Sequence, residues 1–155
     1  MYKKIMVPLD GSELAECVLP HIEAIAGGCT VPDIIFIRVV QPFHFPSTGE
    51  IIPSGEDLVK IDEANKAEAK DYLDRVISNM ALGPANLQAE IIFDAKVAES
   101  LADYASSKEV DLIVVATHGR SGVSRWVWGS VTDRLLHSSC VPILMVRAPG
   151  CVANI

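Results

Sequence analysis

Five short apolar runs alternate along the chain with segments in which apolar residues recur at helical spacing. The runs at 5–9, 34–40, 112–116 and 141–146 predict buried strands, whereas the run at 87–93 alternates at first and predicts an edge strand with one face in solvent. The segments at 14–25, 56–80, 97–106 and 130–137 predict helices, and the Gly27-Gly28 pair is expected to end the first of them. Because strands and helices alternate, we expect an α/β fold, an open, doubly wound, five-stranded parallel sheet with helices on both faces.

The whole chain, residues 1–155, is expected to form a single domain, because its length is typical of one. The segment at about 41–55 contains three prolines and predicts a mobile loop, and residues 148–155 are expected to form a C-terminal tail. Half of the residues are apolar and the mean hydropathy is +0.31, as expected of strands that are buried on both faces. Arg38 is the one residue that interrupts the apolar character of the second run.

Charge and cysteine spacing narrow the function classes. Twenty acidic residues against thirteen basic ones give a net charge of −7, which disfavours nucleic acid as a partner. No apolar run reaches the roughly 18 residues of a membrane span, and the N-terminus lacks signal-peptide features. We therefore expect a cytoplasmic protein that does not act at a membrane. The four cysteines form no C-x-x-C pair and show no zinc spacing, which predicts reduced thiols and no metal site.

Two loops at predicted strand ends carry the candidate chemistry. The first strand is followed by Asp10-Gly11-Ser12, and the fourth by a loop that contains Gly119 and enters a helix through Gly129-Ser130. In an open parallel sheet, the ligand crevice lies at the carboxyl ends of the strands, where the winding reverses. If the first and fourth strands are neighbours, the two loops face each other and free helix amides can hold phosphates. Glycine loops also serve simply as turns, so spacing alone leaves both interpretations open.

Other catalytic and phosphate-binding patterns are missing from the chain. It contains neither G-x-x-x-x-G-K-S/T nor G-x-G-x-x-G, which disfavours a P-loop nucleotidase and a dinucleotide-dependent oxidoreductase. No Ser or Cys nucleophile is visibly paired with His118, and no residue is predicted to be catalytic. Asp10 has two interpretations, a ligand contact in the crevice or a cap of the turn before the first helix.

These segments resemble the universal stress protein family over residues 3–147. The sequence VPLDGSE at 7–13 is similar to the family's opening, and ATHGRSG at 116–122 and CVPILMV at 140–146 are similar to its closing half. The family's nucleotide-binding branch carries glycine, two residues, glycine, nine residues, glycine, and then Ser or Thr. Gly119, Gly129 and Ser130 match this pattern in register, whereas Ala116 replaces its first glycine. A methyl group at that position is compatible with a negative φ and costly with a positive one.

The resemblance implies an adenine-nucleotide (ATP or AMP) binding protein of the stress response that acts as a regulatory or signalling module. Asp10 would contact the ribose or adenine, Val39 would present backbone groups to the adenine edge, and Mg²⁺ would be held mainly through the phosphates. The implied nucleotide-binding set is Pro8, Leu9, Asp10, Val39, Ala116, His118, Gly119, Arg120, Gly129, Ser130, Val131 and Thr132. The resemblance also implies the strand order 3-2-1-4-5 and a homodimer through the last strand, from Val141 to Val146.

Two alternatives stay open at this point. The first is a dimeric interaction scaffold that binds no nucleotide, which Ala116 favours and the intact Gly119 and Gly129-Ser130 oppose. The second is a slow ATPase or phosphotransfer enzyme, for which the sequence offers no visible general base.

Overall fold

The computed structural model describes residues 2–43, 54–117 and 130–147. Within these ranges the chain forms β1 (Lys4–Pro8), a 3₁₀ helix (Ala15–Val18), α1 (Leu19–Cys29), β2 (Asp33–Val40), α2 (Gly55–Ser78), β3 (Asn86–Phe93), α3 (Val97–Ser107), β4 (Leu112–Thr117), α4 (Ser130–Ser138) and β5 (Ile143–Arg147). Most of the predicted loop at 41–55 and all of the predicted tail at 148–155 lie outside the described residues. No helix in the described ranges is long and apolar enough to cross a membrane.

The five strands form one parallel sheet in the order β3-β2-β1-β4-β5, which confirms the predicted architecture. The chain winds outward from β1 in one direction through β2 and β3, and in the other through β4 and β5. Right-handed crossovers therefore place the connecting helices on opposite faces. The 3₁₀ helix, α1 and α2 pack on the face that contains Ile5, Val7 and Phe36. The helices α3 and α4 pack on the face that contains Met6 and Ile35.

The first helical segment differs from the predicted helix at both of its ends. It starts with the 3₁₀ helix Ala15–Val18, and the α-helix begins only at Leu19. Gly27 and Gly28 lie inside α1, which ends at Cys29, so the prediction that the glycine pair ends the helix is wrong. The stop comes from Thr30, which adopts a left-handed conformation with φ of 50° and donates its N–H to Ala26 O at 3.1 Å. Pro20 lies in the first turn of α1. Backbone N–H groups in the first turn of an α-helix have no acceptor within that helix, so proline loses no helical hydrogen bond there.

Helix α2 is long and contributes to the core of the domain through its second half. It begins with a capping box, in which Ser54 Oγ accepts from Asp57 N at 3.2 Å and Asp57 Oδ2 accepts from Ser54 N at 3.3 Å. Its 24 residues span about 36 Å. Its buried side chains all belong to the second half, namely Ala69, Tyr72, Leu73 and Val76. Tyr72 is the polar member of this set, and its position matters for the site described below.

Asp111 joins the start of β4 to the start of β1. Its Oδ2 accepts hydrogen bonds from Lys3 N at 2.7 Å and from Lys4 N at 2.9 Å. Because these bonds favour the ionised carboxylate, they lower the pKa of Asp111 below its ordinary value. The carboxylate thus fixes the relative position of the two strands that flank the winding reversal.

We expect Asp111→Ala to lower the free energy of unfolding by about 1 kcal/mol at neutral pH, because two bonds to a solvent-accessible carboxylate are lost. A lowered native pKa makes this contribution fully present above the unfolded-state pKa, about 3.9. The contribution is lost as the pH falls through the still lower native pKa. Urea denaturation of both proteins between pH 7 and pH 3 measures the difference. Asp71→Ala, at an exposed position of α2, is the control. A difference that stays constant across this range would contradict the assignment.

Candidate ligand crevice at the carboxyl ends of the strands

The carboxyl ends of β2, β1 and β4 meet where the winding reverses. Pro8 is paired with Ile37, which leaves the last three residues of β2 extending beyond the end of β1. On the other side, Met6 is paired with Ile113, and β4 continues to Thr117. The residues that follow β1 therefore share one edge with the ends of both neighbouring strands, as the sequence predicted for the first and fourth strands.

The turn after β1 is organised by the side chain of Asp10. Its Oδ1 accepts from Ser12 N at 2.9 Å and from Ser12 Oγ at 2.6 Å. Ser12 Oγ in turn accepts from Ala15 N at 3.2 Å, which connects the turn to the first residue of the 3₁₀ helix. Gly11 has φ of +90°, a conformation that favours glycine. The predicted capping role of Asp10 is thus confirmed, and its carboxylate is also exposed at the crevice edge.

The backbone of Val39 is directed towards the space beyond β1. Leu9 N donates to Ile37 O at 2.9 Å, whereas Val40 O accepts from Asp94 N at 3.1 Å. Successive residues of a parallel strand bond alternately to the two neighbouring strands. The odd-numbered residues of β2 therefore direct their peptide groups towards β1, and at Val39 the strand β1 has already ended. The Val39 side chain packs on the opposite face, against the α3 layer.

Ala116 adopts an ordinary extended conformation near the end of β4. Among the described non-glycine residues, positive φ occurs at Thr30 and Glu109, so φ at Ala116 is negative. Its methyl group is buried in the core cluster that contains Ala15 and Val18 of the 3₁₀ helix. The condition under which alanine is compatible with this position is therefore met.

The start of α4 belongs to the same edge of the sheet. Because α4 connects two parallel strands, it must run back from the carboxyl edge to the amino edge, and its N-terminus at Ser130 lies at the carboxyl edge. Val131 is exposed and Thr132 is buried at 5% relative exposure. The sequence-predicted residues His118, Gly119, Arg120 and Gly129 lie outside the described residues.

Pro8, Leu9, Asp10, Val39 and Ala116 are thus brought to one edge of the sheet. The side chains of Leu9 and Ala116 are committed to the core, so a ligand at this edge meets their backbone. In the part of the chain that the structure describes, no group of three or more His, Cys, Asp or Glu side chains is placed to hold a metal ion.

Sequence reasoning missed three further side chains beside the Asp10–Ser12 turn. The guanidinium carbon of Arg38 lies 5.5 Å from the centre of the Tyr72 ring, and Tyr72 Oη donates to Glu16 Oε1 at 3.0 Å. Burial, and then the hydrogen bond to Glu16, raise the pKa of Tyr72 well above its ordinary value, so the phenol remains a neutral donor. The charge of Arg38 inside an apolar run was the one sequence signal for this group.

The family model described as the universal stress protein family matches residues 1–147 of the chain. Universal stress protein MJ0531 from Methanocaldococcus jannaschii is 28% identical over 149 residues, which cover 96% of this chain and 84% of that protein. The solved structure of universal stress protein UspA from Lactobacillus plantarum has a TM-score of 0.71 and 25% identity, with 94% of this chain and 98% of that chain covered.

The fold is also similar to that of a universal stress protein family protein from Arabidopsis thaliana with AMP bound. The TM-score is 0.62 at 17% identity, with 96% of this chain and 93% of that chain covered. At this identity the likeness concerns the fold alone. Since the family model matches almost the whole chain and the sheet has the order that the resemblance implied, the protein belongs to the universal stress protein family.

Proposed function

We propose that the protein binds an adenine nucleotide, ATP or AMP, in the crevice between the ends of β1 and β4. In this proposal it acts as a regulatory or signalling module of the stress response and carries no catalytic residue. The observation that carries the proposal is that Asp10 lies at the winding reversal. The last residues of β2, which extend beyond the end of β1, and the N-terminus of α4 belong to the same edge of the sheet. The AMP bound to the Arabidopsis thaliana relative supports the choice of an adenine nucleotide.

Each part of a nucleotide has a chemically suitable partner at this edge. A purine edge needs a paired donor and acceptor, and the peptide groups at Val39 are directed to the space beyond β1. Ribose hydroxyls are donors, and the exposed Asp10 carboxylate is an acceptor. Phosphates suit the free amides at the first turn of α4 and the glycine positions Gly119 and Gly129 of the preceding loop. Mg²⁺ would be held mainly through the phosphates.

We expect Asp10→Ala to weaken ATP binding about tenfold, because a hydrogen bond to a charged acceptor is lost. We expect Gly129→Val to weaken it at least as much, because a branched side chain would keep the phosphates from the amides. Isothermal titration calorimetry measures both, with a micromolar dissociation constant expected for the parent protein.

Asp94→Ala is the matched control for Asp10→Ala. Asp94 follows β3 as Asp10 follows β1, and its Oδ1 accepts from Lys96 N at 2.9 Å in the same kind of turn. This control should bind ATP as the parent does. Unchanged affinity in both test variants would refute the site, and absence of binding by the parent of both ATP and AMP would favour the scaffold function.

We also propose a homodimer in which the edge strand β5 of one protomer pairs with that of a second copy. The region from Val141 to Val146 contains no charged residue, and Leu144 is 38% exposed. The opposite edge strand, β3, carries Gln88 and Glu90. An apolar sheet edge that offers unpaired backbone groups is an aggregation hazard, and pairing with a second copy removes it.

We expect Leu144→Lys to convert this dimer to a monomer, because pairing would bring two like charges together across the strand interface. Light scattering after size-exclusion chromatography measures the mass against the 16.7 kDa of one chain. Val59→Lys is the matched control, since Val59 is 56% exposed but lies on α2. A monomeric parent protein at tens of micromolar, or dissociation of both variants alike, would contradict the interface.

A further inference from the structure

Three side chains from separate elements form a contiguous group behind the Asp10–Ser12 turn. Arg38 comes from β2, Tyr72 from α2 and Glu16 from the 3₁₀ helix. Tyr72 is 9% exposed, and both Arg38 and Glu16 are half-buried. We call this set the Arg38–Tyr72–Glu16 group. It lies on the face of the sheet that α1 and α2 cover, next to the crevice.

The Arg38 guanidinium fills the space next to Gly11. A Cβ atom placed on Gly11 would lie 3.0 Å from Arg38 Nη1 and 3.1 Å from its Cζ. The planar group therefore lies directly against the backbone of the turn. The Arg38 guanidinium therefore limits movement of the turn towards α2. Gly11 has φ of +90°, a backbone conformation that favours glycine.

Arg38 is in turn held from α2. Its guanidinium lies over the face of Tyr72, with the guanidinium carbon 5.5 Å from the ring centre, a geometry in which the cation and the ring attract. Tyr72 is itself fixed by the 3.0 Å bond from its hydroxyl to Glu16 Oε1. A chain of contacts therefore connects the core of α2 to the backbone of Gly11.

The charged side chains of the group and of the turn act on the Tyr72 phenol. Besides burial and the hydrogen bond to Glu16, the charges of Glu16 and Asp10 raise the pKa of the Tyr72 phenol, and the charge of Arg38 lowers it. The Asp10 carboxylate accepts its two hydrogen bonds from Ser12 N and Ser12 Oγ in the turn that Arg38 packs against.

We propose that Arg38 is a positioning residue for ligand binding, which acts through Asp10 by holding the Asp10–Ser12 turn from behind. This inference rests on the proposed nucleotide site, because Asp10 is the residue through which Arg38 would affect affinity. In it, Tyr72 and Glu16 orient Arg38 and do not contact the ligand. The proposal gives the charge of Arg38, which lies within a strand of mostly buried residues, a role in ligand binding.

A double-mutant cycle tests whether Arg38 acts through Asp10. We expect Arg38→Met, which keeps an apolar stem without the planar cation, to raise the ATP dissociation constant about fivefold in the parent. In the Asp10→Ala background the same change should raise it less than about twofold, because the residue through which Arg38 acts is gone. Equal losses in the two backgrounds would overturn the proposal and make Arg38 an independent ligand contact. No loss in either background would overturn it as well.

A second measurement on the protein without nucleotide separates this proposal from the proposed function. Solvent exchange of the Ser12 amide, which bonds to Asp10 Oδ1, should be at least about threefold faster in Arg38→Met than in the parent. The Lys96 amide, which bonds to Asp94 Oδ1 in the matching turn after β3, should be unchanged. Equal changes at both amides, or none at Ser12, would overturn the positioning role even if ATP binds. A faster Ser12 amide in a protein that binds no ATP would refute the proposed function alone.

Tyr72→Phe covers the case in which Arg38→Met does not fold. This variant keeps the ring under the guanidinium and removes only the hydroxyl bond to Glu16. It should accelerate Ser12 exchange in the same direction and to a smaller extent, while Lys96 remains unchanged. A folded Tyr72→Phe protein with parental exchange at Ser12 would show that the group does not hold the turn.

Discussion

The parallel pairing of β1 with both β2 and β4 is the constraint on which the rest of the structure depends. Its central residues Ile5, Met6 and Val7 are completely buried, so β1 cannot shift without exposing both faces of the core. The chain winds in opposite directions on its two sides, which sends the connecting helices to opposite faces. The winding therefore reverses at the carboxyl end of β1, and Asp10 and Gly11 are exposed there.

Arg38, a charged residue within a strand of mostly buried residues, packs against the turn at this edge. The neighbours of Arg38 at positions 36 and 37 are completely buried, and desolvating an unpaired cation there would be costly. The packing of the Arg38 guanidinium over the Tyr72 ring supplies an attractive contact for the cation. The same contacts place a rigid planar group against Gly11. The packing of α2 is therefore connected, through Arg38, to the turn that contains Asp10 at the carboxyl edge of the sheet.

The sequence predicted the elements well because residues 5–9 and 112–116 are continuous apolar runs and residues 87–93 begin with the alternation of an edge strand. It failed at Gly27 and Gly28, where a local cost of about 1 kcal/mol per glycine is offset by the packing of Ile22, Ala26 and Cys29. Asp10 could be predicted because a turn residue at a strand end has few roles. The contact between Arg38 and Tyr72 could not, because the two residues lie 34 positions apart on different elements, and only the folded sheet brings them together.

Chemical-shift mapping of the amide resonances during a titration with ATP tests the central claim most directly. The account predicts saturable shifts at Asp10, Gly11 and Ser12, at Val39 and Val40, and at residues 130–132, because these amides share the carboxyl edge. Amides at the amino ends of the strands, such as those of Lys4 and Asp33, should not move. Shifts confined to that opposite edge or to the outer face of α2, or no saturable shifts at all, would contradict the account.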